Sequence, residues 1–108
     1  MKKEIIKDII VEALNHFYRS QKLTIEADEH TEIVGENSKV DSLSLVNLMV
    51  EIETKFIELN HEITLASDTA LTHADTPMAR VSTLVDYIYD QLEREAGSKR
   101  SVYGAASV

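Results

Sequence analysis

Apolar residues recur at helical spacing in three separate stretches of this chain, and no stretch carries a competing strand signal. That periodicity confines it to an all-α fold. From Lys3 to about Ser20 the repeating residues are Ile6, Ile9, Ile10, Ala13, Leu14 and Phe17, with Lys7, Asp8, Glu12 and Arg19 elsewhere on the wheel. A second periodic stretch runs from Ser42 to Ile57. The third is marked by Leu84, Val85, Ile88, Tyr89 and Leu92, with Ser82 or Thr83 placed to cap it and Gly97 to close it. Between the first two lies a polar segment, Gln21 to Val40, whose Gly35-Glu36-Asn37-Ser38 run suits turns and whose Leu23, Ile25, Ile33 and Val34 suit anchoring to a core. A connection this long is usually functional or partly structured. Ile63 to Leu71 accommodates one short helix, expected between Ser67 and Leu71 with Ser67 or Asp68 as its cap, and Thr76-Pro77 marks a turn or a helix start.

A chain of 108 residues is the size of one domain. We place that domain at residues 1–97 and expect residues 98–108, small, polar and weakly basic, to be a flexible tail. No cysteine is present, which removes disulfides, thiolate zinc sites and cysteine nucleophiles. The longest apolar runs, such as Ile9-Ile10-Val11, are far shorter than a membrane span, and Met1-Lys2-Lys3-Glu4 leads into an amphipathic helix with no signal-peptide core. A cytoplasmic protein is expected. A formal net charge of -8 repels nucleic-acid backbones and anionic lipid, so basic protein surfaces are the better partners.

No enzyme emerges from the residues. His16, His30, His61 and His73 show no close metal-ligand spacing, and the three glycines are too scattered to form a phosphate loop. A Ser-His-Asp set can be written with Ser42 and Asp41, but nothing in the sequence places a histidine beside them. The acidic run Glu26, Asp28, Glu29 and Glu32 reads most simply as a solvated loop. Tyr87 and Tyr89 share the last helix, one expected to pack and the other to be exposed.

The stretch from Ser42 carries two apolar stripes. At about 100° per residue, Leu45, Leu48, Met49, Ile52 and Phe56 form the expected core face, while Leu43, Val46 and Val50 form a second face near the azimuth of Ser42. Either that second stripe packs under the long loop, or it is an exposed strip that meets other proteins. Asp41 and Ser42 are both residue types that cap a helix, and neither completes a capping box, because Ser44 and Leu45 stand three positions on. A charged group on Ser42 would sit at the positive end of the helix dipole.

Val40-Asp41-Ser42-Leu43-Ser44-Leu45-Val46, followed by Glu51-Ile52-Glu53 and Phe56, resembles the Asp-Ser-Leu segment and second helix of acyl carrier proteins. Val81-Ser82-Thr83-Leu84-Val85-Asp86-Tyr87-Ile88 looks like the last helix of that family, and the resemblance spans about residues 4 to 95. It implies an acyl-carrier-like antiparallel bundle of three long helices plus one short helix. It also implies a non-enzymatic monomer that holds acyl groups as thioesters on a 4'-phosphopantetheine arm attached to Ser42, flanked by Asp41 and Leu43. The partners implied are a phosphopantetheinyl transferase that installs the arm from coenzyme A, an acyl-loading ligase and acyl-transferring enzymes. They would dock on Leu43, Ser44, Val46, Asn47, Val50 and Glu51.

The chain departs from fatty-acid carriers at identifiable places. Ser38 and Lys39 stand where many have Leu-Gly, Ser44 and Asn47 stand at early positions that tend to be acidic, and Lys55 adds a positive charge. Ile63 to Val81 is longer than in such carriers, a pattern shared with some stand-alone carriers of specialised or surface-polysaccharide pathways. A D-alanyl or aminoacyl carrier is an alternative, and an unmodified helical adaptor that binds through Leu43, Val46 and Val50 is the rival from another class.

Overall fold

The computed structural model describes residues 1–63, 65 and 79–106, with side chains as far as Arg94. These residues form α1 (Lys3–Ser20), α2 (Ser42–Glu58) and α3 (Val81–Ala106). The described residues form no strand; the nearest thing to one is a single antiparallel bridge between Glu32 and Arg80. The short helix expected at Ser67–Leu71 and the turn at Thr76-Pro77 lie outside the described residues.

One hydrophobic cluster joins the elements, and α1 packs against both α2 and α3. In α2 the whole expected face, Leu45, Leu48, Met49, Ile52 and Phe56, is buried. In α1 the buried set is Ile6, Ile10, Ala13, Leu14 and Tyr18, whereas Ile9 and Phe17 are only half-buried. Tyr18 is buried because the long loop folds over this end of α1, held by the Ala27 N–H donating to Asn15 Oδ1 at 2.7 Å. Burial, and then the nearby Asp28 carboxylate, push the Tyr18 hydroxyl above its ordinary pKa. The loop is pinned by Ile33 and Ala27, with Leu23 and Val34 half-buried, while Ile25 is exposed, contrary to expectation.

Both α1 and α2 stop in the same way. After α1 the backbone of Lys22 turns left-handed (φ 59°), and the Lys22 and Leu23 N–H groups donate to the carbonyls of Arg19 (3.0 Å) and Tyr18 (2.8 Å). After α2, Asn60 (φ 65°) and His61 do the same with Ile57 and Phe56, both at 2.9 Å. These paired bonds satisfy carbonyls that a helix end otherwise leaves open.

The loop also forms the start of α3. The Val81 and Ser82 N–H groups donate to the carbonyls of Thr31 (3.0 Å) and Glu29 (2.9 Å), and Ile33 donates to Ala79 O at 2.7 Å. The expected cap at Ser82 or Thr83 is therefore corrected. The helix already begins at Val81, and the Thr83 hydroxyl reaches back to accept the Arg80 N–H at 3.1 Å. Nor does Gly97 close the helix, which runs on to Ala106. One interior glycine costs about 1 kcal/mol relative to alanine, too little to end a helix flanked by Glu93, Arg94, Glu95, Ala96, Lys99 and Arg100. Val81, Leu84, Val85, Ile88 and Leu92 are buried, and both Tyr87 and Tyr89 are half-buried, with the Lys3 ammonium 5.0 Å from the centre of the Tyr89 ring.

Candidate functional site: the start of α2

Asp41 has extended backbone (φ -79°, ψ 175°), and its Oδ1 accepts the Ser44 N–H at 2.7 Å. Asp41 is thus the cap and Ser42 the first helical residue, a choice the residue types alone leave open. The backbone N–H of Ser44, aided by the Ser44 side chain and the Leu43 backbone and opposed by slight desolvation, holds the Asp41 carboxyl below its ordinary pKa. Because the folded value is the lower one, the cap's contribution is complete above the unfolded carboxylate value, about 4, and fades as pH falls through the folded value. The melting temperature of Asp41→Ala should accordingly lie below that of the parent at pH 6, and the gap should narrow below about pH 4. A gap that is constant with pH in a thermal-melt series would contradict this.

Ser42 is exposed, and its hydroxyl is left out of the cap. The described histidines do not converge on it. His16 Nδ1 is 2.9 Å from Glu51 Oε1 and His30 Nε2 is 3.5 Å from Glu29 Oε1, while His61 follows the far end of a helix about 25 Å long. His73 lies outside the described residues. Among the described residues no group of three or more metal-ligating side chains comes together, and no helix is long and apolar enough to cross a membrane.

The second apolar stripe faces outward. Leu43 is 75% exposed, Val46 44% and Val50 49%, so the loop does not cover them. Ile57, 58% exposed, extends the strip, and with it the four side chains fall within about 60° of one another on the wheel. Its signal was available: it stands seven residues after Val50, two turns further along the same line.

The polar candidates divide. Asn47 is exposed beside the strip, while Ser44 and Glu51 are half-buried and turned toward α1. There, with Asn47, they line a cleft of about 280 Å³ whose other wall is His16, Phe17, Ser20 and Gln21. The bond between His16 and Glu51 joins the two helices at this cleft, so Glu51 is engaged within the chain. No protein-family model, curated protein or solved structure matches the chain.

Proposed function

We propose that this chain is an acyl carrier protein, modified on Ser42 with 4'-phosphopantetheine and holding acyl groups as thioesters on the arm. The observation that carries this is the state of Ser42: an exposed hydroxyl at the first position of a helix whose cap is supplied by its neighbour, beside an exposed apolar strip. A phosphodiester there gains the field of the helix end. In the loading step Ser42 Oγ bonds to the phosphorus bearing the pantetheine arm. The pyrophosphate bond of coenzyme A breaks, adenosine 3',5'-bisphosphate leaves, and the hydroxyl proton passes to a base of the transferase. In this reading the chain is the transferase's substrate, and the base belongs to the transferase.

The same reading includes a fourth, short helix in residues 67–71, an antiparallel bundle, a monomer in the cytoplasm, and a pathway other than bulk fatty-acid synthesis. The transferase, the acyl-loading ligase and the acyl-transferring enzymes dock on Leu43, Val46, Asn47 and Val50, with Ile57 extending the contact. Replacing Leu43 and Val46 together by aspartate should leave the helix content unchanged while lowering kcat/KM for loading by on the order of ten-fold or more. Unchanged loading and acyl transfer would remove the strip from the docking surface. The reading as a whole is tested by intact-protein mass after incubation with coenzyme A, magnesium and a broad-specificity phosphopantetheinyl transferase. A gain of one phosphopantetheinyl group supports it. No gain, beside a control carrier that is modified, favours the unmodified adaptor.

A further inference from the structure

The segment that delivers the chain to Ser42 is held by the half-buried Val34 and Val40 side chains, which pack against the core, and by one hydroxyl that bridges its backbone. Ile33 is fully buried, and its N–H donates to the Ala79 carbonyl at 2.7 Å, so it is fixed by both packing and backbone. The chain then turns through Gly35, whose φ of +146° is unfavourable for other residues, and the Ser38 N–H closes the turn on Gly35 O at 3.1 Å. From there the Ser38 hydroxyl donates to the Ile33 carbonyl and accepts the Val40 N–H at 3.0 Å. It therefore links an anchored core residue to the residue two positions before Ser42. Glu32 braces the same turn. Its Oε2 accepts the Asn37 N–H at 2.9 Å, and its Oε1 lies 3.9 Å from the Arg80 guanidinium at the start of α3.

We propose that Ser38 is a positioning residue for the modification of Ser42, its paired hydrogen bonds setting the direction in which Val40 and Asp41 enter α2. The proposal rests on the carrier reading. Removing the hydroxyl deprives the Ile33 carbonyl and the Val40 N–H of a shared partner at a half-buried site, while the Asp41 cap and the α2 core are untouched. The helix persists and its entry loosens. The first turn then samples orientations in which Ser42 Oγ is out of line with the phosphorus, and small misplacements of a reacting group carry large kinetic costs.

Ser38→Thr and Ser38→Val give side chains of nearly one shape that differ in the hydroxyl, so they separate bonding from packing. Loading would be followed by intact mass with coenzyme A and a broad-specificity phosphopantetheinyl transferase, with kcat and KM measured for each chain. S38V should lower kcat on the order of ten-fold with helix content unchanged, S38T should stay close to the parent, and the Val40 amide should exchange faster in S38V only. Equal loading of S38V and parent, or equal slowing by S38V and S38T, overturns the role of Ser38 and leaves the carrier reading in place. A parent that is never loaded beside a modified control carrier overturns both. Should S38V lose its helix signal, Ser38→Ala takes its place in the comparison.

Discussion

Ser42→Ala should abolish the phosphopantetheinyl mass gain completely while leaving the stability of the chain within about 0.5 kcal/mol of the parent. The first half follows from chemistry, because the phosphodiester needs an oxygen at that position and alanine has none. The second follows from the geometry of the helix start. Asp41, and not Ser42, accepts the Ser44 N–H, and Ser42 is exposed, so the substitution removes neither a cap nor a packed group. Alanine is also the better helix former, which acts in the opposite direction to any small loss. The neighbouring substitution Asp41→Ala should show the reverse: lower stability from the lost cap, with the oxygen needed for loading still present. Two adjacent residues thereby separate structure from function, with thermal melts and intact mass as the paired readouts. Residual mass gain on the Ser42→Ala chain would place the attachment elsewhere and end the assignment of the site. A large fall in its melting temperature would show that the hydroxyl has a structural partner.

The core face of α2 was legible because one strong period ran through it without interruption, and the outward strip could be read from the same wheel. What the wheel did not decide was whether that strip lies under the loop, since this depends on where residues 21–40 travel. Their path is set by tertiary bonds: Ala27 to Asn15, Ile33 to Ala79, and the carbonyls of Glu29 and Thr31 to the first amides of α3. The same bonds explain the misreadings in α1 and α3. Phe17 sits nearer the centre of the α1 stripe, yet the loop covers Tyr18. Thr83 looks like a cap residue, yet it reaches back to Arg80 because loop carbonyls had already taken the N–H groups of Val81 and Ser82. At the site, the choice between Asp41 and Ser42 as cap was out of reach of residue types, as both accept the same bond. The left-handed turn at Asn60 uses a favoured residue, whereas Lys22 adopts it with no such signal.

Phe56→Ala and Ile57→Ala should differ sharply although the residues are adjacent. Phe56 is 0% exposed at the centre of the shared core, and truncating a buried phenylalanine costs about 3–5 kcal/mol through lost transfer energy and the cavity left behind. For a domain of this size that is roughly 12–40 °C in melting temperature, and it is a large share of the 5–15 kcal/mol that typically separates folded from unfolded states. Ile57 points the other way. With 58% of its surface already in water, it has little burial to lose, and its truncation should move stability by no more than about 0.5 kcal/mol. The comparison bears on the proposed docking strip because it tests whether Ile57 and Leu43 are free of this chain's own core. If Ile57→Ala proves as costly as Phe56→Ala, the strip is packed against part of this same chain and is not available to partners. If Ile57→Ala is silent in thermal melts yet slows transfer by partner enzymes, the outward face of α2 has a role separate from holding the fold together.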